Sequence, residues 1–329
     1  MKKILLTQAV PEAALRLFPA LTNGSYELKV APAPDRETVL KTVRDFQPDA
    51  ILVRSATKLD REMIAAARDL RVIGRTGVGI DNIDVAAASE HNIPVCNTPD
   101  ANSQSVAEHT VALVLAVSKN LVHLNAETGS GNWKVRDQSG AFDLSGKRLG
   151  LVGFGKIATR VATICTALGM QVYFYDPYVA DYFSAPLGTR VHTLDKLAGM
   201  ADVLSLHVPL TDENRGLVDY QFMKAMPQHA ILINTARGPL IDHKDLVRAL
   251  DEGWFTGVGL DVFENEPLAA DNPLNSFARV LKTPHSAALT AECRVRMAEH
   301  AIGGILDVLE GRSAKWIFNR AELAGNSNS

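Results

Sequence analysis

Lys147-Arg148-Leu149-Gly150-Leu151-Val152-Gly153-Phe154-Gly155-Lys156-Ile157-Ala158 decides how this chain folds. The apolar run before Gly153 reads as a buried strand, and Thr159–Leu168 reads as the helix that follows it. Gly153 allows the tight turn between them, Gly155 lets backbone approach a ligand, and Ala158 is small enough for close helix–strand packing. The free N–H groups and positive dipole end of such a helix suit a pyrophosphate. A lone Gly-x-Gly spacing says little. Here the next apolar run, Tyr173-Phe174-Tyr175, ends in Asp176, eighteen residues past Ala158. That is the distance expected for a carboxylate holding the ribose hydroxyls of a dinucleotide. The same carboxylate would repel a 2′-phosphate, and Pro177-Tyr178 follow it rather than Arg, which favours NAD over NADP.

Outward from this stretch, short apolar runs alternate with helical ones in both directions, the rhythm of parallel α/β sheets. Upstream, Ile4–Leu6, Ala50–Val53 and Val72–Ile73 read as strands, with amphipathic stretches such as Glu62–Arg68 beside them. Arg148–Gly153, Gln171–Asp176, Val203–His207, Ile231–Asn234, Gly257–Val262 and Val280–Thr283 form a second series, whose six strands match a full dinucleotide-binding sheet. A long helix is expected over Ser103–Asn120, with Ser105 and Glu108 spaced as a capping box, then an irregular polar stretch over Thr128–Gly146. The apolar face of Val106–Val117 suits either a dimer interface or core burial. A last helix is expected over Ala291–Glu310, and Gly325–Ser329 reads as a disordered tail.

The 329 residues allow one large or two ordinary domains, and 47% apolar with 22% charged residues is ordinary for a chain that buries a core. A net charge of −3 argues against nucleic acid as a partner. Cys96, Cys165 and Cys293 are scattered and odd in number, so disulfides and structural zinc are not expected, and a reducing cytoplasm fits. No metal site and no membrane partner are expected, since Val111–Val117 is too short to span a bilayer and Met1–Leu6 too short for a signal peptide.

Three strand ends carry chemistry: Arg237 after Ile231–Asn234, Glu266 after Gly257–Val262, and His285 after Val280–Thr283. An arginine fork can hold a carboxylate in two parallel hydrogen bonds and polarise a neighbouring carbonyl. An imidazole can remove or return a hydroxyl proton near neutral pH, and a carboxylate on its other nitrogen fixes the tautomer. Together they suggest hydride transfer on a hydroxy acid. Taken singly, each residue is as readily a solvated charge or a loop residue.

Several runs resemble, in order, the D-isomer-specific 2-hydroxyacid dehydrogenase family, most closely its phosphoglycerate-oxidising branch. They are Val53-Arg54-Ser55-Ala56-Thr57-Lys58, Gly74-Arg75-Thr76-Gly77-Val78-Gly79-Ile80-Asp81-Asn82-Ile83-Asp84, Asn97-Thr98-Pro99, the glycine loop, Asn234-Thr235-Ala236-Arg237-Gly238, Asp261-Val262-Phe263-x-x-Glu266-Pro267 and Thr283-Pro284-His285. The resemblance implies two doubly wound α/β domains. A Rossmann domain over residues 100–287 is inserted in a flavodoxin-like substrate domain over residues 1–99 and 288–329, with substrate in the cleft between them and closure excluding water. It implies that Arg237, Glu266 and His285 are catalytic. Asp261 would meet the nicotinamide amide, Thr235 and Ala236 would line the nicotinamide side, and His207, Val208 and Pro209 the adenine side. Lys156 and Ile157 would give N–H groups to the pyrophosphate, and Val78 and Ala288 would also meet NAD.

Backbone at Ser55, Ala56, Gly77, Val78 and Gly79 would complete the substrate carboxylate site with Arg237 and His285. Arg54 and Arg75 would face an anionic substrate or form structural ion pairs, and Lys134 and Arg136 are further candidates for a distal phosphate. The implied reaction interconverts a D-2-hydroxy acid and its 2-oxo acid in a cytoplasmic homodimer. 3-Phosphoglycerate leads, with hydroxypyruvate, glyoxylate or a sulfonated analogue as alternatives, and an NAD-sensing scaffold is the reading from another class. The chain departs from the branch at Ser286-Ala287-Ala288, where a glycine-containing run is usual, and at Val208, often polar in relatives. No small ligand-sensing domain is expected past Ser329, and so no serine feedback.

Overall fold

The computed structural model describes residues 1–179 and 187–326. The chain divides into two compact units, Met1–Asn102 with Leu289–Ser329, and Ser103–Ala288. The breaks fall three residues and one residue later than the sequence-based boundaries, because Ser103 opens a helix of the second unit and Ala288 closes its last loop.

In chain order the first unit runs β1 (Lys2–Leu6), α1 (Glu12–Arg16), α2 (Pro19–Thr22), β2 (Tyr26–Val30), α3 (Arg36–Phe46), β3 (Ala50–Val53), α4 (Arg61–Ala66), β4 (Val72–Arg75), α5 (Val85–Glu90) and β5 (Val95–Cys96). The second runs α6 (Ser103–Ser118), α7 (Leu121–Gly129), β6 (Arg148–Val152), α8 (Lys156–Ala167), β7 (Gln171–Tyr175), β8 (Thr189–Arg190), α9 (Leu194–Met200), β9 (Val203–Leu206), α10 (Tyr220–Ala225), β10 (Ile231–Asn234), α11 (His243–Asp251), β11 (Gly257–Leu260) and β12 (Val280–Lys282). The chain then returns to the first unit in α12 (Ala291–Leu309) and α13 (Arg320–Asn326).

Both sheets are parallel throughout, ordered β2-β1-β3-β4-β5 and β12-β11-β10-β9-β6-β7-β8. Parallel strands covered on both faces must be apolar along their length, and β3, β9, β10 and β11 are buried at every residue. Helix starts are set by side-chain caps. Asp35, Asp60 and Asp84 accept from the backbone N–H of Thr38, Met63 and Ala87, and Thr290 caps α12 through Cys293. Each sheet has a switch point, β1/β3 in the first and β6/β9 in the second, where the crossovers reverse and the carboxyl ends open a crevice for ligands.

Several local expectations are corrected. The second sheet has seven strands rather than six, because the two-residue β8 pairs with β7 at Tyr173 and Phe174. Ser105 lies inside α6 rather than at its cap, since the helix begins at Ser103 and ends at Ser118 rather than Asn120. The stretch read as irregular holds the end of α7 and a 3-10 turn, Trp133–Gln138. Gly325 and Asn326 belong to α13, while residues 327–329 of the expected disordered tail lie outside the described residues. Ala107, Val111, Leu113 and Val114 are spent on the core of the second unit, where α6 packs against α8, β10 and β11, and Val106 is buried too.

Candidate active site

Gly153 and Gly155 do different jobs in the loop between β6 and α8. Gly153 has φ +90, and a Cβ there would lie 2.6 Å from the His207 carbonyl oxygen and 2.8 Å from Val208 Cγ1. Only glycine lets the turn approach the end of β9 so closely. A Cβ on Gly155 would meet nothing within 4 Å, so its smallness serves the space in front of the loop rather than the fold. Ala158 is fully buried behind it, and Phe154 stacks on Phe174 at 3.9 Å. The Asp176 carboxylate accepts from the backbone N–H of Phe154 at 2.8 Å and of Tyr178 at 2.9 Å, which fixes it at the end of β7. The open space before Gly155, the start of α8, which no side chain caps, and this fixed carboxylate fit a dinucleotide. Lys156 is exposed and Ile157 half-buried in the first turn of α8. His207 Nε2 and Ser205 Oγ are 2.9 Å apart, and burial pushes the His207 pKa down to about 4, so the ring is neutral near pH 7. Val208 and Pro209 follow it at the end of β9.

Arg237, Glu266 and His285 follow β10, β11 and β12, three neighbours in the same sheet. His285 Nδ1 and Glu266 Oε2 are 2.7 Å apart, and Glu266 Oε1 accepts the Phe263 N–H at 3.0 Å. Nδ1 therefore carries the proton, and Nε2 is left with no partner among the described residues. Burial pushes the Glu266 pKa up. The hydrogen bonds from His285 and Phe263 and the charges of His285 and Arg237 outweigh it, so the carboxyl sits below its usual range and is ionised at neutral pH. Arg237 leaves β10 through Asn234, whose side chain bonds the Arg237 carbonyl at 2.7 Å and the Ala236 N–H at 2.9 Å. Gly238 is buried against Phe263, and a Cβ there would fall 2.0 Å from the Phe263 carbonyl carbon. That approach brings the Arg237 loop onto the strand end leading to Glu266.

Asp261 is fully buried at the end of β11. Its Oδ1 accepts from Thr283 Oγ1 at 2.6 Å and Ser286 N at 2.8 Å, and Oδ2 from Ala287 N at 2.9 Å. His285 itself has φ +50, a left-handed backbone, and its N–H reaches the Asp261 carbonyl at 2.8 Å. Thr235 is buried beside half-buried Ala236, and Ala288 is half-buried after the His285 loop.

In the first unit, Arg54 and Arg75 differ. The Arg75 guanidinium is engaged locally, with Nε on Asn82 Oδ1 at 3.2 Å and Nη1 on the Thr76 carbonyl. Arg54 lies at the β1/β3 switch point, where its N–H meets Thr7 Oγ1 at 3.3 Å and its Nη1 meets the Ala9 carbonyl at 2.9 Å. No carboxylate pairs with it among the described residues. Burial, and then the charge of Arg294, lower its pKa. Ser55 and Ala56 are exposed beside it, Gly77 is buried, and Val78 and Gly79 are half-buried. Asn97 Nδ2 holds the Val78 carbonyl at 2.9 Å. Lys134 and Arg136 sit exposed on the 3-10 turn, where Arg136 lies 3.7 Å from Asp137, and among the described residues no hydrogen bond or ion pair joins either to the trio.

Sequence reasoning missed three braces. Asn82 Nδ2 bonds the carbonyls of Arg54 at 3.0 Å and Thr57 at 2.7 Å, tying two loops together. His109 meets Thr283 at 3.0 Å and Thr110 meets Thr235 at 2.8 Å. Asn82 stands within a quoted motif, but nothing in the sequence marks His109 or Thr110. Among the described residues no group of three or more His, Cys, Asp or Glu could hold a metal, and no helix is long and apolar enough to cross a membrane.

Residues 111–287 match the family model described as D-isomer specific 2-hydroxyacid dehydrogenase, NAD binding domain. The chain is 39% identical to D-3-phosphoglycerate dehydrogenase of Methanocaldococcus jannaschii over 98% of its own length, but spans only 60% of that protein. It is 37% identical to glyoxylate reductase of Thermofilum pendens, covering 98% of this chain and 95% of that one. The crystal structure of the TT0316 protein from Thermus thermophilus matches with a TM-score of 0.88 at 35% identity, over 96% of this chain and 99% of that one.

Proposed function

The chain belongs to the D-isomer-specific 2-hydroxyacid dehydrogenase family, and from that premise we propose that it interconverts a D-2-hydroxy acid and its 2-oxo acid with NAD, 3-phosphoglycerate and 3-phosphohydroxypyruvate being the preferred pair. One observation carries the chemistry: His285 Nδ1 is engaged by Glu266 at 2.7 Å, which turns Nε2 free toward substrate. NAD supplies the hydride acceptor when bound, held by the glycine loop and Asp176. Arg237 holds the substrate carboxylate through its planar fork and polarises the bond to the reacting oxygen. His285 Nε2 takes the hydroxyl proton during oxidation and returns it during reduction. Glu266, ionised beside it, stabilises the imidazolium formed in between.

Arg54 supports the phosphorylated pair. A half-buried guanidinium with one accepting carbonyl and no carboxylate has donors left for a distal anion, whereas Arg75 is engaged by Asn82 and Thr76. A second reading, hydroxypyruvate or glyoxylate reduction, is favoured by the near-complete coverage of the Thermofilum relative. We further propose a homodimer formed through α7, which buries none of its residues and exposes Leu121 and Val122, with Trp133 exposed just beyond. Location in the cytoplasm is proposed with it.

The test is NADH oxidation across phosphohydroxypyruvate, hydroxypyruvate, glyoxylate, pyruvate and sulfopyruvate, for wild type and Arg54→Ala. The phosphate reading expects phosphohydroxypyruvate to lead, and Arg54→Ala to cost it at least tenfold more in kcat/KM than glyoxylate. Equal losses, or glyoxylate leading in the wild type, overturn it. NADH binding with no turnover on any of the five would leave a nucleotide-sensing scaffold instead.

A further inference from the structure

Two adjacent side chains on α6, His109 and Thr110, each grip the threonine that stands two residues before a catalytic one. Thr110 Oγ1 is 2.8 Å from Thr235 Oγ1, and Arg237 follows Thr235 by two. His109 Nε2 is 3.0 Å from Thr283 Oγ1, and His285 follows Thr283 by two. We propose that α6 is the spacer that sets Arg237 against His285, with His109 and Thr110 as positioning residues. This rests on the reading of His285 as the acid–base and Arg237 as the carboxylate anchor.

Each bond admits one direction. Thr110 Oγ1 donates its proton to the Val106 carbonyl at 2.8 Å, so the proton shared with Thr235 comes from Thr235. Thr283 Oγ1 donates to Asp261 Oδ1 at 2.6 Å, so its bond to His109 has Nε2–H as donor. A hydroxyl has a single proton, and spending it elsewhere fixes the polarity of the remaining contact. A wrong register on the Arg237 side would leave the buried Thr235 hydroxyl without this partner, which costs about 1–3 kcal/mol. Thr110 is fully buried and Thr235 nearly so, which makes that cost real here.

The helix is held as a spacer must be. A Cβ on Gly257 would lie 2.5 Å from Val117 Cγ1, and one on Gly259 3.2 Å from Leu113 Cβ, so α6 rests directly on β11. β10 and β12 flank β11. Neighbouring residues on an α-helix point about 100° apart. Seated over the middle strand, positions 109 and 110 therefore reach the loops on either side of it. On the His285 side the grip continues through Asp261, whose carboxylate also takes the Ser286 and Ala287 N–H groups at 2.8 and 2.9 Å. His109 thus acts on the whole turn that carries the base.

The test compares His109→Leu and Thr110→Val with the conservative His109→Gln and Thr110→Ser, using whichever 2-oxo acid the wild type reduces best. We expect kcat to fall about 10- to 100-fold in the first pair, the scale of an ångström-size misplacement. We expect recovery to within about threefold of wild type in the second pair, where the hydrogen bond is kept, and an unchanged Kd for NADH throughout. In a His285→Ala background His109→Leu should cost nothing more, because its effect passes through the residue already removed. An equal fold-loss in both backgrounds, or no rescue by Gln and Ser, overturns the proposal. A second arm needs no turnover. The imidazole ¹⁵N–¹H correlations of His285 should report a changed Nδ1–H bond to Glu266 in His109→Leu, and an unaltered resonance overturns the proposal as well. A wild type that reduces no 2-oxo acid would sink the functional reading, while this second arm would still decide the spacer.

Discussion

Replacing Gly238 with alanine puts one methyl group where the backbone of another strand end already stands. The new Cβ would lie 2.0 Å from the Phe263 carbonyl carbon, 2.1 Å from its oxygen and 2.5 Å from Glu264 N. Carbon atoms in contact sit about 3.5–4.0 Å apart, so the two loops must separate by about 1.5 Å. No flexible side-chain tip can yield, because every near atom is backbone. Gly238 has no positive φ, so the effect is steric and carries no conformational strain of its own. The displacement falls on two members of the trio. Arg237 is the preceding residue, and Glu266 is tethered by its bond from Phe263 N at 3.0 Å. Overpacking of this kind costs about 1–3 kcal/mol of stability, and an ångström of misplacement costs about 100-fold in rate. Gly238→Ala should therefore lower kcat/KM for the 2-oxo acid about 100-fold and melt earlier, while NADH affinity, proposed to be set at the glycine loop, stays within about threefold of wild type. Steady-state NADH oxidation, NADH fluorescence titration and a thermal melt measure the three quantities. Normal kcat/KM with a normal melt would refute the steric reading. A lower melt with normal kcat/KM would cut the link between this contact and the trio.

Gly155→Ala is the opposite case. Nothing stands within 4 Å of its Cβ and its φ is −78, so the melt should hold while NADH affinity drops at least tenfold; unchanged affinity would remove Gly155 from the cofactor site. Glu266→Gln keeps an acceptor for His285 Nδ1 but loses the charge that favours the imidazolium, so kcat should fall about 10²-fold or more with NADH binding intact. Wild-type kcat in this variant would reduce Glu266 to a packing role. His207 sets a pH dependence of stability. Its pKa is about 4 when folded against 6.5 for the free side chain, so the unfolded chain takes up the proton first. Stability should then fall as pH drops from 6.5 to 4 and level off below, by at most about 3 kcal/mol at 1.36 kcal/mol per pKa unit. Urea denaturation at pH 7 and at pH 4.5 measures the difference, which His207→Gln should shrink; an equal difference in wild type and variant would clear His207.

The sequence made the fold legible where burial is two-sided and opaque where it is not. β3 and β10 are continuous apolar runs because helices cover both faces of their sheets. β2 is an edge strand, Tyr26-Glu27-Leu28-Lys29-Val30, and its polar alternation kept it from being read as one. β5 and β8 have two residues each, too few to show any period. At the candidate site, Arg237, Glu266 and His285 could be singled out because their residue types stand at strand ends, where a parallel sheet presents ligands. Their supports could not. Thr110 and Thr235 are 125 residues apart and His109 and Thr283 are 174 apart, and no local pattern signals a pairing made only by folding.

The left-handed backbone of His285 explains why Asp261 must be a carboxylate rather than any polar residue. An L-residue at φ +50 costs about 1–2 kcal/mol. The turn is held from within by the Thr283 carbonyl, 3.0 Å from His285 N, and from the end of β11 by Asp261. The Asp261 carbonyl takes the His285 N–H, and its two carboxylate oxygens take Thr283 Oγ1, Ser286 N and Ala287 N. Hydrogen bonds to a charged acceptor contribute about 1.5–3 kcal/mol each, enough to offset the strain. A neutral amide could accept at one oxygen only, and its nitrogen would face an N–H. The strained turn in exchange reverses the chain, so that Nδ1 of His285 meets Glu266 on the neighbouring strand end while Nε2 stays open. The resemblance implies that Asp261 would meet the nicotinamide amide. With Oδ1 already shared by Thr283 and Ser286, and Oδ2 by Ala287, the acceptor capacity left for a cofactor is a lone pair on a group that also fixes the base. On the proposed cofactor role of Asp261, cofactor seating and base orientation would depend on one carboxylate, and a change in either would be felt by the other.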